Sequence, residues 1–416
     1  MEVNVVEMVD PNKDSTDVDA DHTKQPYLRY SFESDATSVK TAKDTGADSH
    51  FMTTVPDDAY DDNPAATSTE TVDVTKIVAS AKCEDMKFWS PDSPNLYDVY
   101  TVLKDSEGNV LDVQKTTTGF RKVEYDINDG GLKINDQPVW LTGYAQRSTN
   151  EWAVIGVAND WLQDLDMQWI KESNSNFIRW MHVAPKPSQI RSGDKYGVVS
   201  ACPAGDKEAD VDGRAWDQRV EAMRDAMIYF RNSPSVIFWE TGNNAVTAAH
   251  QQEMTDLKNT LDPNGERFCG CRTISSTDQI QAADYVGTML NRHASNAKAS
   301  MAAIKKYVPI METEYAREEA PRRVWDDFSP PDYDYRNKWL GAGASKTDGY
   351  DIHDLTSEDF SLVDARAYNE FYSDRVGGLS GNDYYSAAAI MVWSDSNMHN
   401  RNTGSETAVH QVRLTL

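Results

Sequence analysis

The chain has 416 residues, 39% of them hydrophobic, which is enough for roughly two or three domains with a sizeable core. Asp and Glu total 67 against 41 Lys and Arg, and the formal net charge of -26 argues against nucleic acid or an anionic membrane surface as a partner. No apolar run reaches the ~20 residues of a membrane span, and the N-terminus lacks the basic and apolar regions of a signal peptide.

Residues 1 to about 135 are predicted to form β-structure. β-branched and aromatic residues cluster or alternate in YLRYSF, FMTTV, VDVTKIVAS, LYDVYTVLKD and VLDVQKTTTGFRKVEY, which polar stretches separate. The segment DSEGN between the last two runs is a hairpin turn signal. These features predict a small β-sandwich, with exposed acidic loops at residues 10–24 and 56–74.

From about residue 136 the pattern changes to strands that alternate with helices, which is typical of parallel βαβ units. The strand candidates are VWLTGY, NFIRWM, GVVSACP, SVIFWE, RFCGCRT, DYVGTM, VPIMETE and AAAIMVW. Eight strands of this kind predict an α/β fold, a (β/α)8 TIM-type barrel. The last strand ends near Trp393 and leaves little chain for an eighth helix, so the barrel is expected to be incomplete or closed by the irregular C-terminal residues.

Helices and one long insertion complete the predicted barrel. Trp216, Val220, Met223, Met227 and Phe230 recur at helical spacing before the stop signal NSP, which predicts a helix over WDQRVEAMRDAMIYF. A further helix is expected from about residue 356 to the glycine pair at 377–378. The aromatic-rich residues 317–350 follow the seventh strand, where long loops usually shape substrate pockets.

The four cysteines are predicted to be buried thiols. Cys83, Cys202, Cys269 and Cys271 include only one close pair, whereas a metal site would need two close pairs or histidines at ligand spacing. The chain also lacks a glycine-rich loop that could cradle phosphate. No metal and no cofactor are therefore expected.

Two predicted strands end in carboxylates, Glu240 in NSPSVIFWETGNN and Glu314 in PIMETEYA. Strand ends of this kind mark the rim of an α/β barrel, from which catalytic side chains project. Paired carboxylates suit glycoside hydrolysis, since one protonates the leaving oxygen while the other faces the anomeric carbon. The alternative interpretation is that both glutamates are solvated strand ends.

These motifs together resemble glycoside hydrolase family 2, the retaining family of β-galactosidases and β-glucuronidases. The stretches FWSPDSPNLYDVYTVL, GLKINDQPVWLTGYA, NSPSVIFWETGNN and VPIMETEYA occur in family order and with family-like spacing over roughly residues 75–400. The resemblance implies an immunoglobulin-like β-sandwich portion at residues 75–135 and a catalytic barrel at residues 136–416. Residues 1–74 are then expected to be a partial or degenerate β region.

The resemblance implies roles for residues at two strand ends. Glu314 falls on the family nucleophile. Glu312, two residues deeper on the same strand face, is the alternative nucleophile, unless it is a structural carboxylate paired with an arginine inside the barrel. Asn243 matches the asparagine that holds the sugar 2-hydroxyl. The family's acid/base glutamate normally follows that asparagine directly, but this chain has Asn244 there, which cannot protonate a leaving group and is expected to bind substrate instead.

Glu240 is therefore the candidate acid/base or supporting carboxylate, and a buried ion pair in the barrel is the competing interpretation. Four extended residues span ~13 Å, so Glu240 can replace the missing acid only if the strand bends at Gly242. A subgroup of the family associated with marine algal galactans is similar in having WE followed by glycine and asparagine. The same subgroup has ETE at the seventh strand.

Further residues fit a sugar site less specifically. The resemblance implies that Arg179 orients the nucleophile by a charge-assisted hydrogen bond and that His182 lies at the site, unless it is simply a satisfied rim histidine. Trp393 is a candidate for stacking on a sugar or, alternatively, a core residue. Trp325, in the insertion after the seventh strand, is expected to line a subsite.

The function predicted from these residues is a retaining exo-β-glycosidase. The most specific expectation is a β-galactosidase that acts on algal oligosaccharides of the agar or porphyran type, located in the periplasm or outside the cell. The alternatives are a glycan-binding barrel that has lost its acid/base, as Asn244 suggests, and a different chemistry on the same fold. The sequence does not determine the oligomeric state.

Overall fold

The computed structural model describes residues 2–7, 28–33, 39–43, 73–77, 83, 86–129, 131–147, 159–205, 209–243, 246–272, 276–288, 308–315, 385–391 and 393. The chain forms two compact units. One comprises residues 1–87 and 95–118, and the other comprises residues 88–94 and 119–416. None of the helices in the described residues is both long and apolar enough to cross a bilayer.

The first unit is built from antiparallel strands. A four-stranded sheet has the order β2-β1-β7-β8, and β3 pairs with β4 in a separate two-stranded sheet. The strands are β1 (Glu2–Glu7), β2 (Leu28–Glu33), β3 (Val39–Lys43), β4 (Asp73–Ile77), β7 (Tyr97–Lys104) and β8 (Val110–Thr118). The predicted strand FMTTV lies outside the described residues.

The predicted hairpin between β7 and β8 is confirmed. The Asp105 carboxylate accepts hydrogen bonds from the backbone N–H groups of Glu107 and Asn109 at 2.9 and 2.8 Å. Gly108 has a φ of +87°, a conformation that residues with a Cβ rarely adopt. The turn therefore follows from the residue types in DSEGN.

The predicted boundary near residue 74 does not separate two units. Strand β1 pairs with β7, with Val3 opposite Thr101, so residues assigned to a degenerate region and to the β-sandwich share one sheet. The boundary near residue 135 also differs, because residues 119–135 belong to the second unit. Both differences arise from contacts between residues far apart in sequence.

The second unit contains a closed barrel of eight parallel strands, as predicted. In chain order they are β12 (Leu141–Arg147), β13 (Phe177–Met181), β14 (Val199–Pro203), β15 (Val236–Glu240), β16 (Phe268–Cys271), β17 (Tyr285–Thr288), β18 (Ile310–Tyr315) and β19 (Ala387–Met391). Short strands precede it: β5 (Trp89–Ser90), β6 (Ser93–Pro94), β9 (Val123–Asp126), β10 (Gly131–Ile134) and β11 (Gln137–Pro138). Strand β19 pairs with β12, so the eighth strand itself closes the barrel of strands, and the expectation of an incomplete barrel or of closure by the C-terminal residues is wrong.

Helices alternate with the barrel strands in the described residues: α1 (Asp160–Glu172), α2 (Pro187–Tyr196), α3 (Arg214–Phe230), α4 (Ala248–Leu261) and α5 (Thr277–Ala282). Helix α3 is the one predicted from periodicity, and Trp216, Met223, Met227 and Phe230 are buried along it, while Val220 is only half-buried. The helix predicted at residues 356–378 and the insertion at 317–350 lie outside the described residues.

The segment before β9 is anchored to the start of β15 by one arginine. Arg121 donates hydrogen bonds to the backbone carbonyls of Pro234, Val236 and Gly265 at 2.6, 2.8 and 3.1 Å. The backbone N–H of Val123 also donates to the Glu266 carboxylate at 2.6 Å. These bonds satisfy carbonyls at the strand starts and hold residues 119–123 against the barrel.

None of the four cysteines, all of which the structure describes, forms a disulfide. Cys202, Cys269 and Cys271 are buried, as predicted, whereas Cys83 is half-buried. Burial raises the pKa of the Cys269 thiol to about 12 and raises that of Cys202 well above its ordinary value. These two thiols therefore stay protonated and unreactive at neutral pH.

A buried aspartate on α2, Asp194, links three parts of the barrel unit through its side chain and its backbone carbonyl. The Asp194 side chain accepts a hydrogen bond from the Ser235 backbone N–H at 2.9 Å, and its backbone carbonyl accepts one from Trp89 Nε1 at 2.8 Å. Burial raises the pKa of Asp194 from 3.8 to about 6. The folded state therefore binds this proton more tightly than the unfolded state does.

We expect Asp194 to make the barrel less stable as the pH rises. A raised folded-state pKa gives stability that is fully present below pH 3.8 and lost as the pH passes 6. Relative to Asp194→Asn, the wild-type free energy of unfolding should fall by about 2 kcal/mol between pH 4 and pH 7, as measured by urea unfolding. The Asp92→Asn variant, whose side chain is 99% exposed, is the control. Parallel pH profiles for wild type and Asp194→Asn would contradict the expectation.

Candidate active site

The carboxyl end of β18 carries two buried glutamates. Glu312 and Glu314 alternate with Thr313, so both project from the same face of the strand. Glu312 is 0% exposed and accepts a hydrogen bond from Thr288 Oγ1 at 3.0 Å, while Glu314 at the strand tip is 4% exposed. Thr313 Oγ1 donates to the backbone carbonyl of Thr288 at 2.9 Å, which fixes the tip against β17.

Arg179, in the middle of β13, joins the ends of two strands. Its Nε and Nη2 donate to the two oxygens of Glu240 at 2.7 and 2.5 Å, and its Nη1 donates to Glu314 Oε1 at 3.0 Å. The two-pronged contact with Glu240 is the geometry in which a guanidinium binds a carboxylate most strongly. The structure thus contains the predicted hydrogen bond from Arg179 to Glu314, together with a fork that holds Glu240.

The chain turns sharply after β15. Arg179 Nη2 contacts both Glu240 Oε1 at 2.5 Å and Asn243 Oδ1 at 3.2 Å, so the residues after Glu240 do not continue as an extended strand. Gly242 leaves room for Val246 to pack against this turn, because a Cβ there would lie 2.6 Å from Val246 Cγ2. The bend considered at Gly242 is therefore present. Asn244 lies outside the described residues.

A second arginine, which the sequence did not single out, lies at the end of β16. Arg272 is 3% exposed, and its Nη2 donates to Glu314 Oε2 at 3.2 Å. Its Nη1 donates to the backbone carbonyl of Asn243, also at 3.2 Å. The signal that could have found it is the rule applied to Glu240 and Glu314, since Arg272 directly follows the buried run FCGC.

Of the remaining predicted residues, His182 lies close to Glu314, whereas Trp393 packs against α1. His182 is 7% exposed, and its Nε2 is 3.9 Å from Glu314 Oε1. Trp393 is buried, packs on Tyr144 with 4.8 Å between ring centroids and donates from Nε1 to Asp166 of α1 at 3.2 Å. These contacts place the indole against α1 and favour the core role for Trp393. Trp325 lies outside the described residues.

The site places two guanidinium groups against two carboxylates in a buried environment. Burial alone would lower the pKa of Arg179, but the charges of Glu240 and Glu314 outweigh it and raise that pKa. Arg179 therefore stays charged and favours the ionised form of both partners. In the described residues, no cluster of three His, Cys, Asp or Glu side chains could hold a metal ion. The chemistry that this arrangement can supply is that of an oriented carboxylate nucleophile.

Two sequence models of one family match the chain. The model described as "Glycosyl hydrolases family 2" matches residues 17–121, and the model described as "Glycosyl hydrolases family 2, TIM barrel domain" matches residues 125–323. The chain belongs to glycosyl hydrolases family 2. The family and fold predicted from the sequence, an immunoglobulin-like β-sandwich followed by a TIM barrel, are confirmed. The narrower algal-galactan subgroup stays a prediction.

The relatives of this family 2 chain include enzymes with two named specificities. It is 32% identical over 323 residues to a β-glucuronidase of Formosa agariphila, a match that covers 77% of this chain and 30% of the relative. It is 28% identical over 188 residues to a β-galactosidase of Photobacterium profundum, covering 42% of this chain and 18% of the relative. The chain thus spans less than a third of the length of either relative.

Solved structures agree with the fold. A β-glucuronidase from glycoside hydrolase family 2 aligns with a TM-score of 0.60 at 29% identity, covering 78% of this chain and 32% of that one. A β-glucuronidase of Parabacteroides merdae aligns with a TM-score of 0.61 at 15% identity, covering 98% of this chain and 45% of that one. The similarity to the Parabacteroides merdae structure, at 15% identity, concerns the fold alone.

Proposed function

We propose that this family 2 chain carries the catalytic barrel of a retaining β-glycosidase, with Glu314 as its nucleophile. The observation that carries the proposal is the position of Glu314, at a strand tip with one guanidinium on each side. Hydrogen bonds from cations keep a carboxylate ionised and fix its direction. An ionised, oriented carboxylate is what attack on an anomeric carbon requires.

In the proposed reaction Glu314 attacks the anomeric carbon, the bond to the leaving oxygen breaks, and a covalent glycosyl-enzyme forms. Water then attacks the same carbon and releases the sugar with its original anomeric configuration. We assign Asn243, whose side chain shares Arg179 Nη2 with Glu240, to the sugar 2-hydroxyl. This assignment follows from family membership together with the closeness of Asn243 to the guanidinium beside Glu314.

Glu240 is assigned the supporting role rather than the acid/base role. A general acid must be protonated when it donates, whereas the fork from Arg179 favours the ionised form of Glu240. At 1% exposure, Glu240 serves to hold Arg179 in place for Glu314. The proton donor is then to be sought beyond the described residues, and Asp395 after β19 is the first carboxylate to test.

For the substrate we propose a β-glucuronide, with a β-galactoside as the second candidate. The β-glucuronidase relative matches 77% of this chain, whereas the β-galactosidase relative matches 42% of it. The longer and more similar match supports the glucuronide over the galactoside predicted from the sequence. Natural substrates are expected to be oligosaccharides that carry the sugar at their non-reducing end.

A panel of nitrophenyl β-glycosides tests this proposal. We expect the wild-type chain to release nitrophenol fastest from the β-glucuronide, more slowly from the β-galactoside and not from the α-anomers. Preference for the galactoside would move the assignment to the second candidate. Turnover that is equal in wild type and Glu314→Gln would overturn the proposed mechanism for either sugar.

A further inference from the structure

Arg272 makes contacts that go beyond one ion pair. Its Nη2 donates to Glu314 Oε2 at 3.2 Å, its Nε lies 3.2 Å from Glu314 Oε1, and its Nη1 donates to the Asn243 carbonyl at 3.2 Å. Nη2 and Nη1 thus donate hydrogen bonds, while Nε makes an ion-pair contact only. The side chain connects the tip of β18 with the loop that follows β15.

The backbone of Arg272 is itself held in place. Its N–H donates to the carbonyl of Gly242 at 3.1 Å. Its carbonyl oxygen lies 3.3 Å from Thr313 Oγ1, whose single proton it shares with the carbonyl of Thr288. A Cβ at Gly287 would lie 2.3 Å from the Arg272 carbonyl oxygen, so the glycine is needed for this close approach. The guanidinium therefore starts from a fixed backbone position, which lowers the entropy cost of its contacts.

We propose that Arg272 is a positioning residue that keeps Glu314 ionised and aligned, and that fixes the Asn243 loop relative to it. The proposal rests on the proposed role of Glu314 as nucleophile. Burial of a carboxyl favours its protonated form, whereas an adjacent cation favours the ionised form. Arg179 is shared between Glu240 and Glu314, whereas the carboxylate that Arg272 contacts is Glu314. Arg272 therefore supplies a second cation to this glutamate.

The geometry also specifies arginine rather than lysine. A lysine at position 272 would keep the positive charge but would present one nitrogen in place of the planar fork. It could contact Glu314 or the Asn243 carbonyl with good geometry, but not both carboxylate oxygens and the carbonyl together. Arg272→Lys should therefore retain part of the function, whereas Arg272→Met should lose the charge while keeping similar bulk.

The first test is the pH dependence of kcat/KM on an aryl glycoside that the wild type hydrolyses. In Arg272→Met we expect kcat/KM to fall about 10- to 100-fold and its acidic limb to move upward by roughly one pH unit or more. Arg272→Lys should show a smaller fall and a smaller shift. Glu314 also faces His182 Nε2 at 3.9 Å and Arg179 Nη1 at 3.0 Å, and both variants retain these groups. An unshifted acidic limb in Arg272→Met would therefore overturn the proposal.

A matched control separates positioning from stability. Arg267 is another buried arginine of the barrel unit, and it contacts Asp262 and the carbonyls of Val236 and Ser233. The Arg267→Met variant should lower the unfolding midpoint without moving the acidic limb. An equal shift in both variants would show that the change in pH profile comes from general loosening of the barrel and would overturn the role of Arg272.

A second measurement does not need a substrate. Urea unfolding of wild type, Arg272→Met, Glu314→Gln and the double variant at pH 7 gives the coupling between the two side chains. We expect Arg272→Met to change the unfolding equilibrium at least about tenfold less in the Glu314→Gln background than in the wild type. Absence of coupling would overturn the proposal. If the wild type hydrolyses no glycoside, the proposed function fails. The comparison of the four proteins by urea unfolding still decides whether Arg272 and Glu314 are coupled.

Discussion

Glu314→Gln is expected to lose at least roughly 10⁴-fold in turnover, because an amide cannot form the glycosyl ester on which a retaining mechanism depends. The glutamine keeps the shape of the side chain and one acceptor for Arg179 and Arg272, so the chain should still fold, with a lowered unfolding midpoint. Initial rates on the preferred aryl glycoside, measured beside thermal unfolding, check both parts.

The matched control is Glu312→Gln on the same face of β18, since Glu312 is the alternative nucleophile. It should reduce stability while leaving a measurable rate, because its carboxylate is fully buried one layer below the tip. Trapping with a 2-fluoro glycoside followed by peptide mass analysis identifies the labelled residue directly. Label on Glu312, or wild-type turnover in Glu314→Gln, would reject the assignment.

Glu240→Ala is expected to destabilise the barrel by about 3–5 kcal/mol, because it leaves the Arg179 charge buried without its strongest partner. Since Arg179 also orients Glu314, turnover should fall on natural oligosaccharides and on activated aryl glycosides by similar factors. Urea unfolding and the ratio of the two losses are the measurements.

Glu240→Gln is the informative companion to this variant, because it removes the charge but keeps the side-chain volume. If Glu240 were the proton donor, the losses on the two kinds of substrate would differ. Removing a proton donor spares substrates with good leaving groups, and azide restores turnover by intercepting the glycosyl-enzyme. Azide rescue of Glu240→Ala with an unchanged unfolding midpoint would return Glu240 to the acid/base role.

The barrel was predictable because each strand is a local signal. Runs such as SVIFWE are short, apolar and ended by polar residues, so their number and alternation with helices require no knowledge of distant partners. Strand β1 was missed for the opposite reason. The stretch EVNVVE is short and partly charged, and its pairing with β7 joins residues that lie far apart in the sequence.

The candidate site was predictable only where residue type and strand position coincide. Glu314 and Glu240 follow apolar runs, and Arg179 lies within one. Arg272 has the same position at its strand end, yet its role depends on Glu314, which is 42 residues away along the chain. Sequence spacing also could not decide that Glu240 is held in an ion pair, because that depends on a guanidinium from another strand.

The bonds of Arg121 affect how this chain should be divided for expression. A fragment that starts at the predicted boundary near residue 136 would lose the Arg121 hydrogen bonds to the carbonyls of Pro234, Val236 and Gly265. Of these, the Val236 carbonyl would keep its bond from Arg267. The fragment would also lack Trp89, whose indole is buried against α2. An isolated barrel that folds well should instead begin no later than residue 88, with residues 95–118 either retained or replaced by a short linker.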